Sequence, residues 1–222
     1  MIDALDYVVI SPNGGKCAIV TGHGKRKECF VYEIDTSGSL GRKKEFKLKD
    51  NSVELYPKNK FITDISFSYN GKLIMLSSDG GLEMYKLSYD AEFLSYTDVL
   101  KGKQVTDAQI SKDQQTLIVR YGSKKWACFK FNTSTSQFES WGQEQAEKTS
   151  IQKITLSNDG DYITVKSKYT FKMFVVGETI KISQLFSQKS DSFAIVTKDA
   201  FGVLTGEGTT GVRLLSRSKD FG

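Results

Sequence analysis

Residues that could carry enzymatic chemistry are present, but they form neither a phosphate-binding loop nor a recognisable nucleophile motif. His23 is the single histidine of the 222 residues, so a histidine-dependent triad would have to form around it. Its surroundings, Gly22-His23-Gly24-Lys25, lack the spacing and the strand-to-helix context of a phosphate-binding loop. No Gly-x-Ser-x-Gly motif occurs, and acidic pairs such as Glu144 and Glu147 are interpreted as surface residues. We therefore expect no enzyme, no catalytic residues and no cofactor.

Cysteine usage indicates the compartment rather than a site. Cys17, Cys29 and Cys128 are odd in number and lie in strand-like runs, which favours buried, reduced thiols. A zinc site would need clustered Cys and His, so no metal is expected. The N-terminus lacks a basic region followed by a long apolar region, and no apolar run is long enough for a membrane span. The expected location is therefore the cytoplasm or the nucleus.

Positive charge is the remaining chemical feature, with a formal net charge of +5. Basic and aromatic residues recur in segments that read as loops between a second and a third strand. They are His23, Lys25, Arg26, Lys27, Lys124, Lys125, Trp126, Lys168 and Tyr169. Such a basic loop face would suit an acidic peptide, a phosphorylated motif or nucleic acid. The alternative is that loops are polar in general, and Trp126 also stands at an apolar strand position where it would pack in the core.

The elements that must position these loops are read most clearly in residues 62–87. An alternating run ends in Ser68-Tyr69-Asn70-Gly71, an apolar run follows, and Asp79-Gly80-Gly81 leads into a third strand. Period-two patterning bounded by Asn-Gly and Asp-Gly is typical of β-hairpins, because these residues tolerate positive φ. The stretch therefore predicts three antiparallel strands.

Four copies of this unit occur between residues 6 and 176. A serine opens the first turn of each copy (Ser11, Ser68, Ser111, Ser157), and an aromatic stands in each third strand (Tyr32, Tyr85, Phe129, Phe174). The serine-to-aromatic distances are 21, 17, 18 and 17 residues, a regularity that chance alternation would not hold. A fourth strand fits after each copy, in KKEFKL, EFLSYTDVL, QFESW and TIKISQLF. Successive turn serines are 57, 43 and 46 residues apart. Repeats of about this length with four short strands predict β-propeller blades.

The third-strand pattern of alternating apolar residues ending in an aromatic resembles the WD-repeat family. The Trp-Asp pair of that family is replaced here by Tyr32-Glu33, Tyr85-Lys86, Phe129-Lys130 and Phe174-Val175, and its Gly-His pair is absent. The resemblance implies an all-β fold, a propeller of four-stranded antiparallel blades. We expect one domain over residues 1–222, with blades at about 6–49, 60–100, 104–141 and 150–187 and a partial one at 190–217.

After Phe174 the spacing changes, because Ser187 follows only 13 residues later. Taking TIKISQLF as the last strand of the fourth blade leaves three strands for a partial fifth, while the alternative makes Ser187 a degenerate fifth turn. With four to five blades, three arrangements are possible. The ring is open and completed by a partner, the chain is one part of a larger propeller, or the chain closes as a small five-bladed ring. We expect the open or incomplete ring, with exposed strand edges at both ends.

These features together predict a non-catalytic interaction scaffold in a multi-subunit assembly, with other protein subunits as partners. A nucleic-acid-binding subunit that uses the basic loop face is the alternative.

Overall fold

The computed structural model describes residues 5–23, 26–34, 46–47, 61–87, 93–95, 100–168, 170–177, 182–188, 192–195, 200–204 and 212–216. Every regular element in this part of the chain is a β-strand, and none of it forms a helix that could cross a membrane. The chain divides into two compact units, Met1–Gln109 and Ile110–Gly222. The prediction that residues 1–222 form one domain stays a prediction.

The first unit contains two four-stranded antiparallel sheets whose strands follow chain order. Sheet 1 consists of β1 (Leu5–Ile10), β2 (Lys16–His23), β3 (Arg26–Glu33) and β4 (Phe46–Lys47). Sheet 2 consists of β5 (Ile62–Phe67), β6 (Leu73–Ser78), β7 (Gly81–Leu87) and β8 (Phe93–Ser95). All eight strands overlap the segments that the first two copies of the repeat predict. β2 and β3 are longer than expected, and they include His23, Arg26 and Lys27, which the sequence analysis assigned to a loop.

Three sheets follow, and the boundary between the units falls near the end of β9. Sheet 3 consists of β9 (Val105–Ile110), β10 (Thr116–Tyr121), β11 (Lys125–Asn132) and β12 (Gln137–Ser140), with β13 (Gln145–Ala146) also paired to β11. Sheet 4 consists of β14 (Ile151–Leu156), β15 (Tyr162–Ser167), β16 (Phe171–Val176) and β17 (Ile182–Gln188). Sheet 5 consists of β18 (Ser192–Ile195), β19 (Ala200–Leu204) and β20 (Val212–Ser216). Ser187 pairs with Lys172 inside sheet 4, which rules out the alternative of a fifth turn at Ser187.

In each of the first four sheets, the same hydrogen-bonded turn joins the first strand to the second. In sheet 2, Ser68 Oγ donates to Asn70 Oδ1 at 2.9 Å and accepts from Leu73 N at 3.0 Å, while Asn70 Oδ1 also accepts from Lys72 N. The backbone N–H of Gly71 donates to the Ser68 carbonyl. Sheets 1, 3 and 4 repeat these contacts around Ser11, Ser111 and Ser157, with Asn or Asp two residues later. The recurring serine is thus a turn residue whose hydroxyl satisfies backbone groups locally.

The turn requires a left-handed residue three positions after the serine. Gly71 and Gly160 have φ of 67° and 80°, as expected of glycines that follow Asn or Asp in a tight turn. In the third copy this position is Gln114, with φ of 64°, although glycine is the residue that adopts this conformation without strain.

The third-strand aromatics occupy equivalent register positions. Tyr32 lies opposite Cys17, Tyr85 opposite Ile74, Phe129 opposite Leu117 and Phe174 opposite Ile163, and each of those partners stands six residues after a turn serine. Tyr85, Phe129 and Phe174 are buried, whereas Tyr32 is only partly buried. The repeat alignment therefore holds through all four copies.

Packing between neighbouring sheets provides a core in each unit. In the first unit, Ala18, Val20, Cys29 and Val31 of sheet 1 lie against residues of sheet 2 that include Ile65, Phe67, Ile74 and Tyr85. In the second unit, Ile118, Trp126 and Cys128 of sheet 3 lie against residues of sheet 4 that include Ile154, Leu156, Ile163 and Phe174. Burial of these faces is the main source of stability, since one sheet cannot bury both of its apolar faces alone.

Candidate functional site

The residues predicted to form a basic loop face fall into both units. In the first unit, His23 ends β2 and pairs with Arg26 at the start of β3, while Gly22 pairs with Lys27. Lys25 and Tyr169 lie outside the described residues. In the second unit, Lys124, Lys125 and Lys168 are exposed in or beside the connections β10–β11 and β15–β16. Partner binding by these residues stays a prediction.

Trp126 does not contribute to a loop surface. Its side chain is 0% exposed and belongs to the core between sheets 3 and 4. The ring lies edge to face with Phe174. Trp126 therefore packs in the core, which was the alternative interpretation. Side chains alternate between the two faces of a β-strand, and Trp126 lies on the face of β11 that packs against sheet 4.

A group of charged and phenolic side chains gathers around β13, the short strand that the sequence did not predict. We call Tyr121, Lys125, Glu144, Glu147 and Lys172 the β13 cluster. The segment around β13 is held by backbone bonds: Glu147 N donates to the Lys124 carbonyl and Ile151 N to the Ser123 carbonyl, both at 2.8 Å. Pairing of Lys125 with Ala146 and of Trp126 with Gln145 completes the attachment.

The outer part of the β13 cluster is formed by Lys125, Glu144 and Tyr121. Lys125 Nζ donates to Glu144 Oε1 at 2.6 Å, and both side chains are substantially exposed, so this ion pair contributes little to stability. Tyr121 is buried. Burial raises the pKa of the Tyr121 phenol, and the negative charge of the Glu144 carboxylate raises it further. The phenol is therefore neutral and a hydrogen-bond donor at physiological pH.

The inner part is an ion pair between neighbouring sheets. Lys172 Nζ of β16 lies 2.7 Å from Glu147 Oε2, with side-chain exposures of 23% and 4%. Lys172 is the ion-pair partner that the structure shows for this carboxylate. Arg120 of β10 donates from Nη1 to the carbonyl of Ile151 at the start of β14, at 2.8 Å. The arrangement places the ammonium of Lys172 against a carboxylate from which water is largely excluded, and charge interactions strengthen as water is excluded.

Other reactive groups of the second unit are less suited to chemistry. Burial raises the pKa of the Cys128 thiol to about 12, despite the opposing charge of Lys130, so this thiol is an inert core residue. No cluster of His, Cys, Asp or Glu among the described residues could hold a metal ion. The sequence offered one hint to the β13 cluster, the pair Glu144 and Glu147. Lys172 could not be recognised because it reads as an ordinary polar position of an alternating strand.

Comparison with known proteins was informative at the level of structure only. No protein-family model matches the chain, and no curated protein is significantly similar to it. One matching solved structure is a Bacteroides uniformis protein assigned as a 6-phosphogluconolactonase, with a TM-score of 0.64, 16% identity, and coverage of 97% of this chain and 67% of that chain. The periplasmic gluconolactonase of Pseudomonas aeruginosa gives a TM-score of 0.58 and 12% identity, covering 100% and 69%. The β-propeller domain of Cps50 (Swd1) from Myceliophteria thermophila gives a TM-score of 0.63 and 12% identity. The match covers 96% of this chain and 70% of that chain.

These neighbours contradict the expectation of a non-catalytic scaffold and of no enzyme activity. The same succession of sheets occurs in proteins assigned as sugar lactonases. A missing linear motif therefore does not exclude an active site on this fold, because catalytic groups can come from separate blades. The WD-repeat resemblance is supported only at the coarser level of the propeller. At these identities the likeness shows the fold alone, and the chain has the β-propeller fold.

Proposed function

We propose that the chain is a hydrolase of a sugar lactone that carries a negative charge, and that the β13 cluster is its reacting site. The observation that carries the proposal is the buried Glu147 carboxylate, held by Lys172 at 2.7 Å beside the exposed lysines of the β10–β11 connection. The lactonase assignments of neighbours with the same fold support this class of reaction.

Lactone hydrolysis needs a base for water and positive charge for the oxyanion. The Glu147 carboxylate removes a proton from water as the oxygen attacks the carbonyl carbon, and the Lys172 ammonium stabilises negative charge developing on the carbonyl oxygen. The ring ester C–O bond then breaks, and the protonated Glu147 returns its proton to the leaving alkoxide. Water is added across the ester bond and the carboxylate is regenerated. Lys124 and Lys125 supply a positive surface for an anionic substituent such as a phosphate.

The experiment is acid release from glucono-1,5-lactone and from its 6-phosphate, followed in a pH-stat and corrected for spontaneous hydrolysis. Glu147→Gln should lower kcat by about 100-fold or more, the range for loss of a general base. Glu139→Gln is the matched control, because Glu139 is an exposed carboxylate of the same sheet that accepts from Asn132 and Thr135. Circular dichroism checks that both variants fold.

The two substrates separate the roles of the charges. Lys125→Ala should raise KM for the phosphorylated lactone and leave KM for the neutral one unchanged. Hydrolysis of both lactones at the buffer rate by the folded protein, or equal activity of Glu147→Gln and the native chain, would overturn the proposal.

A further inference from the structure

Sheets 3 and 4 of the second unit have two ends that are built from both sheets. We call the end that holds the β10–β11 and β15–β16 connections the hairpin end, and the end that holds the β9–β10 and β14–β15 turns the turn end. A backbone hydrogen bond joins the two sheets at each end. At the hairpin end, Ile151 N donates to the Ser123 carbonyl, and at the turn end, Lys112 N donates to the Asn158 carbonyl, both at 2.8 Å. The charges at each end therefore belong to one connected surface.

Positive charge is concentrated at the hairpin end. Over residues 110–177, the hairpin end carries eight cationic side chains and two carboxylates, whereas the turn end carries two lysines and four carboxylates. The hairpin-end groups are Arg120, Lys124, Lys125, Lys148, Lys153, Lys166, Lys168 and Lys172, with Glu144 and Glu147. The turn-end groups are Lys112 and Lys130, with Asp113, Glu139, Asp159 and Asp161. Two carboxylates neutralise only two cations, so six positive charges are in excess at the hairpin end whichever pairs form within it.

The excess of positive charge is not a general property of loops. Both ends consist of connections and strand ends, yet at the turn end of the same two sheets carboxylates outnumber lysines. At the hairpin end, Lys153 of β14 lies directly opposite Lys166 of β15, and like charges at opposed positions disfavour the folded sheet. Five lysines of this end are exposed, namely Lys124, Lys125, Lys148, Lys153 and Lys168. A surface that gathers mutually repelling charges and presents them to solvent is suited to an anionic partner.

We infer that the hairpin end binds an acidic segment of another protein, a run of Asp and Glu residues in an extended chain. Two ammonium groups of this end already bind carboxylates, Lys125 with Glu144 at 2.6 Å and Lys172 with Glu147 at 2.7 Å. Seven of the eight cations are lysines, which carry a point charge on a flexible stem and therefore suit carboxylates at variable spacing. The exposed lysines are spread over two connections, the segment before β14, and β14 itself, so the partner must be a flexible chain that can follow them.

Nucleic acid and an anionic membrane are poorer occupants of the hairpin end. Single-stranded nucleic acid binds through aromatic side chains on which its bases stack, and no aromatic side chain that the structure describes in sheets 3 and 4 is exposed. The one arginine of this end, Arg120, is half-buried and donates from Nη1 to the Ile151 carbonyl, so this guanidinium group is engaged within the fold. A peripheral membrane contact uses exposed apolar side chains beside basic ones, and the large apolar side chains described in these two sheets are not exposed.

The test measures binding of a fluorescein-labelled oligoglutamate peptide to the full chain by fluorescence anisotropy. The ionic strength is about 0.1 M, where exposed charges more than about 10 Å apart are largely screened. A variant with Lys148→Glu, Lys153→Glu and Lys168→Glu should bind the peptide about tenfold more weakly or worse, because attraction is replaced by repulsion at three exposed positions. The matched control reverses three exposed lysines outside the hairpin end, Lys72, Lys86 and Lys112. It changes the net charge equally and should keep the affinity within about twofold.

A second variant with glutamine at positions 148, 153 and 168 should weaken binding by less, because it removes attraction without adding repulsion. All variants should keep the circular dichroism spectrum of the native chain, since the altered side chains are exposed. The inference is overturned if the peptide does not bind, if both charge-reversal variants lose the same affinity, or if an oligothymidylate of equal length or phosphatidylserine vesicles bind more tightly than the peptide. Peptide binding is measured without a lactone, and the three altered lysines lie outside the β13 cluster, so these outcomes are distinct from failure of the proposed hydrolysis.

Discussion

The indole of Trp126 and the phenyl ring of Phe174 meet edge to face across sheets 3 and 4, with centroids 4.9 Å apart and ring planes at 64°. This geometry places the positive edge of one ring against the negative face of the other, which adds to the burial of both. Phe174 is the third-strand aromatic of sheet 4, and Trp126 is the first buried residue of β11, the third strand of sheet 3. The pair fixes sheet 4 against the strand that also holds β13.

Phe174→Ala should reduce the free energy of unfolding by about 3–5 kcal/mol, from lost burial and the cavity left beside Trp126. Phe174→Leu should reduce it by less, since most of the volume is kept. Urea denaturation gives both values, and near-ultraviolet circular dichroism reports the loss of the fixed environment of Trp126. Equal stability of the alanine variant and the native chain would show that the ring is not packed as described.

Gly160→Ala should be more destabilising than an ordinary glycine replacement at positive φ. A Cβ at position 160 would lie 2.5 Å from Thr116 Oγ1 and 3.0 Å from Ser111 Cβ, in addition to the strain of φ at 80°. Gly122→Ala is the matched control: its φ is 56°, and a Cβ there would meet nothing within 4 Å. We expect Gly122→Ala to lose about 1–2 kcal/mol from conformational strain alone. A thermal melt in which both variants lose the same stability would contradict the close approach of the two turns.

Gln114→Gly should stabilise the protein by about 0.5–1 kcal/mol. Gln114 occupies the left-handed turn position with φ of 64°, where the other three copies have glycine, and relief of this strain outweighs the added freedom of the unfolded chain. The neighbouring Gln115→Gly serves as the control and should destabilise, since Gln115 is not left-handed. The difference in Tm between the two variants measures the effect, and a lower Tm for Gln114→Gly would refute it.

Stability should fall at alkaline pH because of Tyr121. The folded-state pKa of this phenol is raised, first by burial and then by Glu144, while in the unfolded chain it ionises near pH 10. Above that pH the unfolded state releases a proton that the folded state retains, so the free energy of unfolding decreases as the pH rises. Tyr121→Phe should flatten this decrease between pH 9 and 11 in urea titrations. An unchanged slope would mean that other groups cause it, and Tyr69→Phe, at an exposed tyrosine, is the control.

Much of the fold was predictable because its signals are local. The serine-opened turn depends on hydrogen bonds within six residues, such as Ser157 Oγ with Asp159 and Tyr162, and period-two alternation fixes which side chains share a face. The distance from Ser68 to Tyr85 thus predicted the third strand of the repeat, and the structure adds its register, with Tyr85 opposite Ile74.

Other features were decided by packing between segments far apart in the chain. Alternation alone could not tell whether Trp126 faced a loop surface or a core; its burial follows from the approach of sheet 4. Nor could it show that Glu147 meets Lys172, because that contact needs β13 to attach to β11. The neighbours assigned as lactonases contradict the expectation of no catalytic function, and reacting groups on a propeller need not be neighbours in sequence.

By itself, the sequence determined that residues 6–176 form four copies of one antiparallel unit, because turn chemistry and side-chain alternation act over a few residues. Only the tertiary structure decided that Ile62, Ile65 and Phe67 are covered while the equivalent Leu5, Val8 and Ile10 are exposed. The sequence makes these two sets alike in type and spacing. Burial depends on which sheet lies against each face, and sheet-to-sheet packing is a long-range property that no local pattern encodes.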